Sequence, residues 1–67
     1  MKNFEETATA LTAILYAMEN NFITDLDNLG EKSDLTFEEW EVFNNSLNPV
    51  LSAIQTAIHN IKTADND

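Results

Sequence analysis

The sequence predicts an all-α protein built as a helical hairpin, and three observations carry that expectation. Apolar residues recur at alternating steps of four and three in both halves of the chain, the period of a helix packed on a near-antiparallel neighbour. One stretch of turn-forming residues separates the halves and contains the only glycine, Gly30. Immediately after it, Thr36 and Glu39 form a capping pair that marks the start of a second helix.

In the first helix the seam is Phe4, Ala8, Leu11, Leu15, Met18 and Phe22, with Ile14 beside it. Asn3 suits the N-cap, Glu6 pairs with it in a box-like arrangement, and Glu5 and Glu6 both meet the positive end of the helix dipole. Ala8, Ala10, Ala13 and Ala17 leave part of the surface flat enough for close approach of another helix; their helix propensity alone accounts for them equally well. From Thr24 to Asp34 the sequence reads as a connector with at most one helical turn, Leu26 and Leu29 tucked beneath it as a lid on the core.

The second helix opens on Thr36 as N-cap, with Leu35 before the cap and Trp40 four positions after it as a hydrophobic staple. Phe43, Leu47, Val50, Ile54, Ala57 and Ile61 continue the stepping, and Leu51 and Ile58 widen the apolar face. Pro49 removes one intrahelical bond and clashes with the preceding turn. The helix is therefore kinked and continuous, or broken, with Asn48 capping a fresh start at Pro49. Residues 63–67 form a polar, acidic tail expected to fray.

At 67 residues the chain forms one small domain, 1–67, whose core supplies no more than about 3–5 kcal/mol unless disulfides, a metal or self-association add to it. It has no cysteine, which removes disulfides and thiolate metal sites and leaves the redox compartment open. A hydrophobic content of 43%, with four Phe and one Trp, is too high for a disordered acidic tail even at a net charge of −9. Two single-stripe helices make a thin core, so a homodimer completing a four-helix bundle is expected, with Ile14, Leu51, Ile54 and Ile58 as the self-association positions. A three-helix monomer split at Asn48 is the alternative. Glu5 and Glu6 precede the first apolar run where a secretory signal would be basic, and the uncharged stretch from Val42 to Ile61 is too polar to span a bilayer. A cytoplasmic protein with no membrane partner is expected.

Asp25, Asp27 and Gly30 match positions 1, 3 and 6 of a calcium loop, but Leu29 and Thr36 occupy positions 5 and 12, where oxygen ligands are needed. His59 is the only histidine, has no acidic neighbour within a turn, and reads as a surface residue. One glycine excludes a glycine-rich phosphate loop, and three lysines without arginine disfavour direct nucleic-acid binding. No cofactor, metal or catalytic residue is expected, and the protein reads as a non-enzyme.

The charge points elsewhere. Between Glu19 and Glu41 eight carboxylates face Lys32 alone, a net of −7. Glu31, Asp34, Glu38, Glu39 and Glu41 form an acidic face suited to a basic protein surface, where carboxylates occupy a nucleic-acid-binding groove as phosphates would. Phe37 and Trp40 stand among these acids as potential anchors, although the staple with Leu35 already accounts for Trp40. Two functions follow as expectations. One is a protein-binding inhibitor that docks on a basic nucleic-acid-binding protein, by analogy of class with phage or mobile-element counter-defence proteins. The other is a self-associating helical adaptor or regulatory subunit whose acids cap helices and serve solubility.

Overall fold

The capping box at Thr36 fixes where the chain reverses. The Thr36 amide donates to Glu39 Oε1 at 3.0 Å, and the Glu39 amide donates to Thr36 Oγ1 at 3.2 Å. The Trp40 amide then donates to the Thr36 carbonyl at 3.0 Å, the first bond of the helical ladder. On the other side of the turn, the Ser33 amide reaches the Leu29 carbonyl and the Ser33 hydroxyl reaches the Gly30 carbonyl, each at 3.0 Å. Part of each helix end facing the turn is thereby satisfied by local groups. A computed structural model describes residues 2–66: α1 spans Lys2–Lys32, α2 spans Phe37–Asn66, and residues 33–36 connect them as an antiparallel αα-hairpin.

The expected connector from Thr24 to Asp34 is thus replaced, up to Lys32, by helix. Asp25, Asp27 and Asn28 lower helix propensity by only a few tenths of a kcal/mol each, and burial outweighs that loss. Phe22, Leu26 and Gly30 are half-buried against α2, so two further turns extend the interhelical contact. Leu26 is half-buried in the seam between the helices, but Leu29 is exposed. Asn3 lies inside the first turn of α1 and not at its N-cap. Asp67 lies outside the described residues, whereas 63–66 continue α2.

Gly30 has a different role from the turn glycine that its neighbours suggest. It has no positive φ; instead, a Cβ built there would stand 3.3 Å from Trp40 Cζ2. Its missing side chain lets the indole lie against the last turns of α1. Trp40 in turn meets Phe43 edge-on, with ring centroids 6.2 Å apart at 61°.

Across Pro49, α2 is unbroken. Pro49 and Asn45 are both exposed, so the Asn45 carbonyl that loses its N–H partner faces water. The proline is tolerated because it lies away from the seam.

The two helices meet along one seam and nothing else covers them. Ala8 and Ile58, at 5% and 6% exposure, are the only buried hydrophobic residues among those described, and no large side chain is fully enclosed. Around them Thr12, Leu15, Glu19, Phe22, Leu26 and Gly30 of α1 are half-buried, as are Trp40, Asn44, Leu47, Leu51, Ile54 and Ile61 of α2. The result is a rod of 51 × 17 × 10 Å with a radius of gyration of 15.7 Å. A compact chain of this length has a radius of gyration of about 11 Å.

Two substitutions test this description at fixed protein concentration. Pro49→Ala should stabilise the fold by about 1–3 kcal/mol in denaturant titration, because the exposed site restores one helical bond. A loss of stability would instead place a helix start at Asn48. Gly30→Val should destabilise by about 1–3 kcal/mol and shift the fluorescence of the sole tryptophan, since its branched side chain displaces the indole.

Candidate functional site

Chain reversal brings the last turns of α1 beside the first turns of α2, and the acids clustered in sequence become clustered in space. Glu31 lies in the final turn of α1, Asp34 in the connection, and Glu38, Glu39 and Glu41 in the opening turns of α2; all five are exposed. Asp25 and Asp27 are exposed one to two turns further along α1, and Glu19 is half-buried nearer the middle. At 100° per residue, Glu38, Glu39 and Glu41 point in three directions. The acids other than Glu19 therefore ring an end of the rod instead of sharing one face, and the turn end is a pole of net charge −6.

Glu39 does double duty there. Its hydrogen bonds from the Thr36 backbone amide and then the Thr36 side chain hold its carboxyl below the ordinary glutamate range. Of the two aromatics among the acids, Trp40 is half-buried against Gly30 and Phe43, as the staple requires. Phe37 is 79% exposed and is the aromatic that projects from the pole.

The sides of the rod differ from one another. One flank carries Tyr16 and Lys62, whose ammonium donates to the Tyr16 hydroxyl and lies 4.9 Å from the ring centroid. Thr9, Thr12, Ala13 and Asp65 line the shallow groove around that pair. The opposite flank is apolar. Phe4, Leu11, Met18 and Leu29 share one stripe of α1, with Ile14 at its edge, and all five are exposed. Phe43 and Val50 are exposed on the matching stripe of α2. Two grooves open on this flank, one between Phe4, Leu11 and Ile61, the other between Leu26, Leu29, Leu35, Phe43 and Leu47.

This arrangement redistributes the expected self-association positions. Ile14 is 56% exposed on the apolar flank. Leu51 and Ile54 are half-buried in the seam between α1 and α2, and Ile58 is one of the two buried residues, so it belongs to the hairpin's own core and offers no surface. Conversely, Phe4, Leu11, Met18, Phe43 and Val50, expected in the seam, stand at its open edge. The seam is rotated about half a residue step on each helix relative to the centre of its apolar arc, and both rotations open toward the same flank. The signal available in the sequence was arc width: Ile14, Leu51 and Ile58 make each arc broader than one neighbour can cover.

His59 is exposed on α2. Asp25, Asp27 and Gly30 lie along a helix and do not curl into an ion-binding loop. Among the described residues no group of three His, Cys, Asp or Glu side chains comes together as a metal site, and no helix is long and apolar enough to cross a membrane. Comparison with family models, curated proteins and solved structures finds no match.

The cap offers a pH test. A carboxyl held below its unfolded value contributes stability that is present above the unfolded pKa and lost as pH falls through the folded one. Glu39→Gln should therefore be less stable than the parent at neutral pH, and the gap should close on acidification below the ordinary glutamate range. Thr36→Ala should cost about 0.5–2 kcal/mol at neutral pH by the same unfolding assay.

Proposed function

We propose that the protein is a non-enzymatic binding module that docks its acidic pole onto the basic surface of another protein, of the kind a nucleic-acid-binding protein presents. The observation that carries this reading is the gathering of seven carboxylates and one lysine at the turn end of the rod. Such a pole attracts a basic partner over roughly a Debye length and repels nucleic acid itself. Phe37, exposed among Glu38 and Glu41, supplies an apolar anchor that charge alone would lack. The partner then exchanges phosphate contacts for carboxylate contacts, and nucleic acid competes with the protein for one groove. No cofactor takes part, and a partner of this class places the protein in the cytoplasm.

A second reading makes the protein a self-associating helical adaptor or regulatory subunit, with the acids serving capping and solubility. The open apolar flank, with Phe4, Leu11, Met18, Phe43 and Val50 exposed, favours it.

The two readings separate on charge reversal. Immobilised protein exposed to lysate of its own cell should retain basic nucleic-acid-binding proteins that moderate salt releases and added DNA or RNA displaces. Glu38→Lys with Glu41→Lys should reduce that capture at least tenfold, and Phe37→Ala should weaken it while leaving the helical content unchanged. Capture indifferent to the reversal, to salt and to nucleic acid would overturn the docking reading in favour of the adaptor.

A further inference from the structure

The hairpin exposes more surface than a folded chain of its size. Its accessible area is 5261 Å², whereas a compact monomer of 7.6 kDa exposes about 4300 Å². The excess, on the order of 1000 Å², is close to the roughly 800 Å² that each partner contributes to a stable interface of standard size. It is also localised. Between Phe4 and Met18 the apolar stripe of α1 carries no charge, and its counterpart on α2 runs through Phe43, Val50, Ala57, Ile61 and Ala64. The charged residues that fall on this flank by helical phase, Asp25, Lys32 and Glu39, are all near the turn.

We propose that a second copy of this chain covers the apolar flank, with its turn at the opposite end of the rod, so that the pair is an antiparallel four-helix bundle carrying an acidic pole at each end. This inference goes beyond the docking reading and does not depend on it.

The rotation of the seam is what selects a second hairpin over some other occupant. In a four-helix bundle each helix touches two neighbours at right angles, so its apolar arc points between them. Each arc here is displaced from the existing neighbour toward the open flank, leaving room for one more helix on each side. The copies are also self-complementary when residues equidistant from the midpoints of α1 and α2 are opposed at 1.5 Å per residue. Phe4 then stands within one residue of the level of Leu29 of the second copy, and Leu11 within one residue of the level of its Phe22. Ile14 and Met18 lie close to the two-fold axis, and on α2 Phe43 and Val50 come within one residue of the levels of Ile61 and Ile54.

Orientation follows from charge. The other two-fold arrangement, with both turns at one end, would stack two poles of −6 and bring Asp25 and Glu39 of the two copies onto the same end of the flank. The antiparallel arrangement separates the poles by nearly the 51 Å length of the rod, several Debye lengths at physiological salt. A dimer of this form is bivalent, able to engage two basic sites at once.

Sedimentation equilibrium of the full chain over a hundredfold concentration range should give twice the chain mass at the upper end. The Tm should rise with concentration, as mass action requires of a folded dimer. Leu11→Glu with Val50→Glu should raise the dissociation constant at least about a hundredfold, because two-fold symmetry places four charges in the interface. Ile23→Glu, an exposed site on the other flank, should leave it within about threefold. Spin labels on Asp34→Cys, in a chain with no other cysteine, should report a separation of about 50 Å, the rod's length. A wild-type chain that stays monomeric with a concentration-independent Tm overturns the proposal. Equal weakening by the two glutamate variants overturns the choice of flank, and a label separation under half the rod's length overturns the orientation. Since the wild-type Tm needs no variant, a double mutant that unfolds leaves the proposal open to refutation. Sedimentation needs no partner, so its outcome is separate from that of the docking test.

Discussion

Two helices joined by a short turn can share only one seam, and most features of this molecule descend from that constraint. A seam buries a strip of each helix no wider than one neighbour covers. The apolar arcs of α1 and α2 are wider, and the surplus, from Phe4 to Met18 on one helix and from Phe43 to Val50 on the other, stays at the surface. The same constraint accounts for the elongated shape and for a core in which, among the described residues, only Ala8 and Ile58 are buried. It also accounts for the contrast between the flanks. Tyr16, Thr9, Lys62 and Asp65 line one, and a phenylalanine and leucine trough runs along the other.

The turn sets the charge distribution. Capping chemistry needs Glu39 beside Thr36, and acids in the first turn of α2 favour the helix dipole. Asp25, Asp27 and Glu31 gain no such benefit, because they lie in the C-terminal part of α1, where negative charge opposes the dipole. Helix electrostatics therefore explain Glu38 and Glu39, but they leave the acids of α1 unexplained. That asymmetry is what lends weight to a partner for the pole.

The hairpin was legible in the sequence where local chemistry decides. Thr36, Glu39, Leu35 and Trp40 announce their helix start by spacing alone, and the hydrogen bonds fall as that spacing requires. The end of α1 was not legible, because Asp, Asn and Gly between Thr24 and Asp34 carry turn propensity that Phe22, Leu26 and Trp40 override by packing. Gly30 illustrates the ambiguity: a glycine required for close approach reads in sequence like one required for a turn. The phase of the seam was hidden for a further reason. Periodicity locates the centre of an apolar arc, whereas the direction of a neighbour depends on how many neighbours there are. Ile58 and Phe4 were exchanged between core and surface on that account.

Salt separates the two proposed roles. Six net negative charges at one pole repel each other and oppose the folded hairpin, so screening them stabilises the fold, and in the proposed dimer it also relaxes any residual repulsion between copies. The apolar flank gains from the same change, since burial is indifferent to ionic strength or strengthened by excluded salts. Docking of a basic surface on the pole weakens as salt rises, because it rests on the attraction that screening removes. A single variable thus drives self-association and partner binding in opposite directions. Low ionic strength favours a strained, strongly attractive pole, high ionic strength a stable rod with little electrostatic reach, and binding is strongest where the flank alone keeps the hairpin folded against its own charge.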